Sequence, residues 1–151
     1  MSNYIGKPER ASQDRVIKLF QTELGYTYLG DWEKEVRTQP IEEAILKGYL
    51  LGKGYSAIQS QKAIDKLVKA ANNLSSGLYE ANKEVYHLLR YGVTVREELG
   101  QPKETVWLID WKKPKSNQFA VAEEVTVQGK HTKRPDVVIY VNGIALGVIE
   151  L

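Results

Sequence analysis

Asp136 and Glu150 are the residues whose type and setting point most directly to chemistry. Asp136 opens the apolar run Val137-Val-Ile-Tyr-Val141, and Glu150 nearly closes Ala145-Leu-Gly-Val-Ile-Glu-Leu151. The two runs flank Asn142-Gly143, a dipeptide that favours tight hairpin turns, so both acids fall at the end remote from the turn. The segment around Glu150 is apolar enough to read as a strand buried on both faces, where an unpaired carboxylate is costly. A magnesium ion shared with Asp136 would compensate it, because that metal is content with one or two carboxylates plus water and phosphate oxygens. The alternative is a strand end emerging into water, with Glu150 simply hydrated.

Register decides whether the acids can cooperate. Facing residues of an antiparallel pair lie on one face, so Asp136 and Glu150 share a face only if paired positions sum to an even number. A two-residue turn would pair Val141 with Ile144 and separate the acids. The expectation is therefore a three-residue loop, Val141-Asn142-Gly143, with Gly143 left-handed in a bulge and Tyr140 paired with Ile144. A plain two-residue turn, with no compensating bulge, would rule out a metal shared within this pair.

The elements that must hold these acids come from a chain of 151 residues, 42% hydrophobic and 26% charged, which is enough for one domain with a real core and argues against disorder. The absence of cysteine excludes disulfides and thiolate metal sites. Two histidines, His87 and His131, are too few for a His-rich centre, so any metal must be held mainly by oxygen. The start, Met1-Ser-Asn-Tyr-Ile-Gly-Lys7, lacks the apolar core of a signal peptide, and no run is long enough for a membrane span; a cytoplasmic location is expected. A net charge of +2 neither demands nor excludes nucleic acid, so the distribution of charge matters more. Lys112, Lys113 and Lys115 follow one predicted strand, and Lys130, His131, Lys133 and Arg134 lead into Asp136. Taken alone, such short runs read as solvated loops.

Helical periodicity dominates before Gly92, and short β-branched and aromatic runs dominate after it. A first helix starts at Pro8, carries Val16, Leu19, Phe20 and Leu24 on its apolar side, and stops at Gly25; Tyr26 and Tyr28 lead out. A second follows Pro40, with Ile41, Ala44, Ile45 and Leu51 available for packing, and ends near Gly52. The third begins with Ser56 and Gln59 at capping-box spacing and packs Ile64, Leu67, Val68 and Ala71. Ser75 or Ser76 could cap the fourth, whose Leu78, Val85, Leu88 and Leu89 face one way; His87 is read with them as a structural residue. Five strands are predicted over Val93–Arg96, Thr105–Trp111, Phe119–Gln128, Val137–Val141 and Ala145–Leu151, connected as an antiparallel meander. The expectation is one domain over residues 1–151, α/β in the sense of an α+β layered fold, with residues 38–73 as a helical insertion.

Pro135-Asp136 and Glu150-Leu151 resemble the two halves of the PD-(D/E)xK nuclease signature. That pattern is common by itself, and the surrounding text makes it specific. Glu9-Arg-Ala-Ser-Gln-Asp-Arg-Val16, Leu24-Gly-Tyr26, Leu88-Leu-Arg-Tyr-Gly-Val93, Leu108-Ile-Asp-Trp111 and Arg134-Pro-Asp-Val-Val-Ile-Tyr-Val-Asn-Gly143, in this order, resemble the N-terminus of the restriction (R) subunit of type I restriction-modification enzymes. The resemblance implies a restriction-endonuclease-like fold and a Mg2+-dependent DNA endonuclease, fronting an ATP-dependent translocase that assembles with methyltransferase and specificity subunits. Carried onto this chain, it makes Asp136 and Glu150 the catalytic, metal-binding carboxylates. Glu9 is a further metal-side candidate, although a negative charge is also simply favourable in a helix's first turn. Lys130, Lys133 and Arg134 become candidate DNA-phosphate contacts.

The family's motif needs a lysine immediately after the position of Leu151, which is the last residue of the chain, and no Gly-x-x-x-x-Gly-Lys-Ser/Thr loop occurs. The chain is accordingly expected to be a fragment that neither hydrolyses ATP nor cuts DNA efficiently alone, and to self-associate through an unpaired strand. Two other functions compete: a nuclease-like fold without chemistry that binds DNA or docks a subunit, for which residues 38–73 would be a surface, and a standalone repair or resolving nuclease.

Overall fold

The structure is a computed structural model that describes residues 7–151. The stretch Met1–Gly6, the greater part of the segment read above as lacking a signal-peptide core, lies outside the described residues. Among those described, no helix is long and apolar enough to cross a membrane. The fold is α+β with a helical first half, and the chain forms two compact units. Of the described residues, one unit comprises 7–38, 118–141 and 145–151; the other comprises 39–117 and 142–144. The change from helices to strands falls at Gly92 as read, all four described α-helices preceding it and every described strand but one following it, and the helical unit runs on to Asn117.

In the first unit, helix α1 (Lys7–Thr22) is followed by strand β1 (Thr27–Asp31), and the chain returns to this unit with β4 (Phe119–Glu123), β5 (Val137–Val141) and β6 (Ile144–Ile149). The sheet order is β1-β4-β5-β6. It is mixed: β1 runs parallel to β4, with a register shift between Tyr28 and Gly30, and β4 runs antiparallel to β5 with Phe119 opposite Val141 and Glu123 opposite Val137. Alternation gives each face its own core. Val121 and Val137 meet Ile17 and Phe20 of α1, whereas Ala120, Ala122, Val138 and Tyr140 pack with Trp32 and Val125. The buried stripe of α1 is Gln13, Ile17 and Phe20; Leu19 and Leu24, expected inside, are exposed.

In the second unit, helices α2 (Glu43–Gly52), α3 (Ala57–Asn72) and α4 (Leu78–Tyr91) precede a two-stranded antiparallel sheet of β2 (Val93–Val95) and β3 (Glu104–Val106). The expected five-strand meander is thus divided between two sheets. The Ser56–Gln59 capping box forms as read, with both reciprocal bonds at 3.0 Å. Helix α4, by contrast, is capped by Gly77 without a side-chain bond rather than by Ser75 or Ser76. Leu46, Leu50, Ile64, Leu67, Val93, Val106 and Leu108 form the core, and each such side chain contributes roughly 1.5–3 kcal/mol by leaving water. Leu51 and Leu78 are exposed, and His87 lies on the surface stacked 4.8 Å from Tyr91, so it is not a core residue.

Candidate acidic strand-end site

The hairpin carrying the two acids turns through Asn142 and Gly143 alone, both left-handed at φ 53° and 83°. This is the two-residue type I′ turn favoured by Asn-Gly, and it replaces the expected three-residue loop. Asn142 is held by its own side chain, whose Nδ2 donates to the Leu108 carbonyl and to Asn117 Oδ1, both at 2.9 Å. At Gly143 a Cβ would fall 2.7 Å from the Glu42 carbonyl oxygen and 2.9 Å from the Leu46 nitrogen, so only glycine fits.

The parity of the two acids is restored further along β6. Ala145 packs with the Val138 and Tyr140 cluster, whereas a Cβ on Gly147 would lie 3.4 Å from the Ile139 Cβ on the other face. Two residues apart, they should share a face; an extra residue between them, a bulge, explains why they do not. Ile149 follows Gly147 onto the Ile139 face. Gly147 and Ile149 both lie against Ile139, contacts that are compatible with Asp136 and Glu150, one residue beyond each strand, sharing a face. The Leu151 N–H donates to Asp136 Oδ2 at 2.7 Å, and the Glu124 N–H donates to the Asp136 carbonyl at 2.9 Å, so the strand ends are tied beside the first acid.

Burial differs from the sequence expectation. Strand β6 is at the sheet edge, with Leu146 and Val148 48% and 57% exposed and Glu150 exposed as well. The apolar run reflects one covered face rather than two, and Glu150 has access to water, as in the hydrated alternative. Desolvation of Glu150 therefore gives no argument for a metal.

Glu9 sits exposed in the first turn of α1. Among the described residues, no three or more histidines or acids stand close enough to hold a metal ion, so Glu9 is not gathered with Asp136 and Glu150. Arg134 is engaged by two carboxylates, Glu33 at 2.9 Å and Glu124 at 3.0 Å. Lys133 exchanges backbone bonds with Val127 at 2.7 and 3.0 Å, and both it and Lys130 are exposed. A phosphate would meet the two lysines in water but would have to share Arg134 with its acids.

The residue that the sequence reading missed is Glu123, at the end of β4 and only 3% exposed. Its carboxylate accepts from Arg10 at 2.8 Å, Gln13 at 3.0 Å and the Tyr28 hydroxyl at 3.1 Å. Gln13 also donates to Glu124 at 3.1 Å. Burial first, and the Glu123 charge next, push the Tyr28 hydroxyl up to about 12. Partial desolvation pulls the Arg10 guanidinium down, and Glu123 and Asp14 outweigh it to leave a net rise. Paired acids closing Phe119-Ala-Val-Ala, together with Gln13 in helical phase with Ile17 and Phe20, were the available signals.

A family described as "Type I restriction enzyme R protein N terminus" matches residues 7–151. The chain belongs to this family. No curated protein and no solved structure matches it significantly. Family membership makes this R-protein N-terminus a nuclease-type domain of a restriction enzyme, a hydrolase in general class whose substrate is DNA within a restriction-modification complex. The Asp136 hairpin, α1 with Arg10 and Gln13, and Glu123 all fall inside the matched span.

Proposed function

We propose that the chain is the Mg2+-dependent endonuclease domain of a type I restriction R subunit, hydrolysing DNA phosphodiester bonds, with Asp136 and Glu150 as its metal-holding carboxylates. In the full protein this activity is coupled to ATP-dependent DNA translocation and works in the cytoplasm with methyltransferase and specificity subunits. The observation that carries the reading is the β6 bulge, which supports a common face for the two acids in a chain of this family.

The donor set suits magnesium. It is all oxygen, and two carboxylates leave the remaining positions to water and phosphate, the arrangement that ion prefers. When bound, the ion supplies an activated water and neutralises charge developing on the phosphate. The chain's own part is to hold and orient: the Leu151 N–H fixes one Asp136 oxygen, and the Glu124 N–H fixes the Asp136 backbone. The Glu123, Gln13 and Arg10 cluster fastens α1 to the end of β4, which pairs with β5. Lys130 and Lys133 supply positive charge on the approach to Asp136.

The test is DNA cleavage by the complete R subunit assembled with its partners and Mg2+, comparing wild type with Asp136→Ala and Glu150→Ala. Each substitution should lower the cleavage rate by on the order of 100-fold or more while leaving ATP hydrolysis in place. A second reading is a nuclease-like module that only binds DNA or docks a subunit. Cleavage undiminished in both variants would establish that reading instead.

A further inference from the structure

We propose that the helical unit carries a second site, a pocket that takes a nucleotide by stacking its base on Trp107 and setting its phosphate against Arg90 and Lys112. The pocket has a volume of about 370 Å³, within the range of small-ligand sites, and all its lining residues belong to this one unit. Its walls are aromatic and face water: Trp107 and Trp111 are 43% and 48% exposed. The Trp111 ring is pinned, and the Trp107 backbone is held. Trp111 Nε1 donates to the Leu89 carbonyl at 2.9 Å, and the Trp107 backbone N–H donates to the Tyr55 hydroxyl oxygen at 3.0 Å. A ring fixed before binding loses little freedom when a ligand arrives, which is what an exposed stacking surface requires.

Charge selects the ligand class. Three cations and one carboxylate line the pocket. The carboxylate, Asp110, is occupied by Lys53 at 3.0 Å, by the Ser116 hydroxyl and by the backbone N–H groups of Lys112 and Lys113. That leaves the positive excess on Arg90 and Lys112, with the Arg90 guanidinium 5.5 Å from the Trp111 ring centre. Aromatic faces beside cations hold unpaired nucleotides with little sequence preference, whereas a duplex keeps its base faces stacked inside. A free nucleotide and one unit of a single strand share this chemistry. The proposal goes beyond the nuclease reading and does not rest on it, since none of that site's acids lines the pocket.

The experiment measures binding of fluorescein-labelled dT12 to the 151-residue chain by anisotropy, in EDTA so that metal-dependent cleavage has no part in the result. Trp107→Ala should weaken binding at least about fivefold, Trp107→Phe should retain most of it, and Arg90→Gln should weaken it and flatten its salt dependence. Circular dichroism checks folding; if Trp107→Ala does not fold, the Phe and Gln variants decide. Displacement of the strand by dTMP or dAMP at comparable concentration would make the occupant a free nucleotide, and the need for a strand would make it single-stranded DNA. No binding of either probe, or binding unchanged by Trp107→Ala and Arg90→Gln, would overturn the proposal. Failure of cleavage with these affinities intact would count against the nuclease reading alone.

Discussion

The two units satisfy their buried polar groups in opposite ways. In the sheet unit, the buried group is a carboxylate, Glu123, answered by a guanidinium, an amide and a phenol that come from α1 and β1. In the helical unit the hydrogen-bonded buried side chains are amides, and the buried Ser60 hydroxyl has no partner among the described residues. Asn142 donates twice, to Leu108 and Asn117, and Asn117 accepts from Asp110 and Tyr49 while donating to Asp110 and Pro114. Two partners of Glu123, Arg10 and Tyr28, are partly exposed and tolerate rearrangement by water, while Gln13 is buried, and the cluster's strength follows pH. The amide cluster includes a phenol as well: Tyr49 donates to Asn117 and burial raises its pKa, so this cluster too weakens in strong alkali, and it is intolerant of losing a member because each partner left behind is stranded in low dielectric.

The largest effect should therefore come from the amide side. Asn142→Ala removes both bonds, strands the Leu108 carbonyl, and leaves an alanine at φ 53°. The expected loss is about 3 kcal/mol, read from the urea unfolding midpoint. Asn142→Gly should lose about 1 kcal/mol less, because glycine accepts the left-handed backbone. If the alanine variant unfolds within ~0.5 kcal/mol of wild type, the amide cluster is not what holds this turn.

Next comes Glu123→Gln, which keeps the shape and removes the charge. Its amide nitrogen would then face the donors of Gln13 or Arg10. The side chain of Arg10 is 50% exposed and can turn to water, so the expected loss is held to about 1–2 kcal/mol, smaller than at Asn142 despite the formal charge. A greater loss at Glu123 than at Asn142 would reverse the comparison.

What was legible in the sequence follows the range of the interactions. The Ser56 capping box, the bounds of β5 and the position of the hairpin turn are set by neighbours a few residues apart, and the structure keeps them. Strand β1 escaped because Thr27-Tyr-Leu-Gly-Asp31 is short and interrupted by glycine, and is made a strand by parallel pairing with β4, far along the chain. Glu123 escaped for the same reason: its donors lie on α1 and β1, and nothing local marks a carboxylate as buried. The parity argument required a bulge for the acids to share a face but placed it at the turn. In the structure Gly147, rather than the turn, carries the sign of such a shift, its Cβ position lying 3.4 Å from the Ile139 Cβ.

The smallest effect is expected at Tyr28. Tyr28 donates to Glu123, and its pKa is raised from 10.0 to about 12, by burial first and by the carboxylate next. The folded state thus holds the phenolic proton more tightly than the unfolded state does. The resulting stability is fully present below pH 10 and is lost as pH rises through about 12. Tyr28 is 37% exposed, so solvent screens much of this linkage. Tyr28→Phe should cost about 0.5–1 kcal/mol at neutral pH through the lost hydrogen bond. It should also shallow the decline in stability between pH 10 and 12 relative to wild type, measured by urea titrations across that window. Curves for the two proteins that stay parallel through the window would mean that Glu123 is held by Arg10 and Gln13 alone.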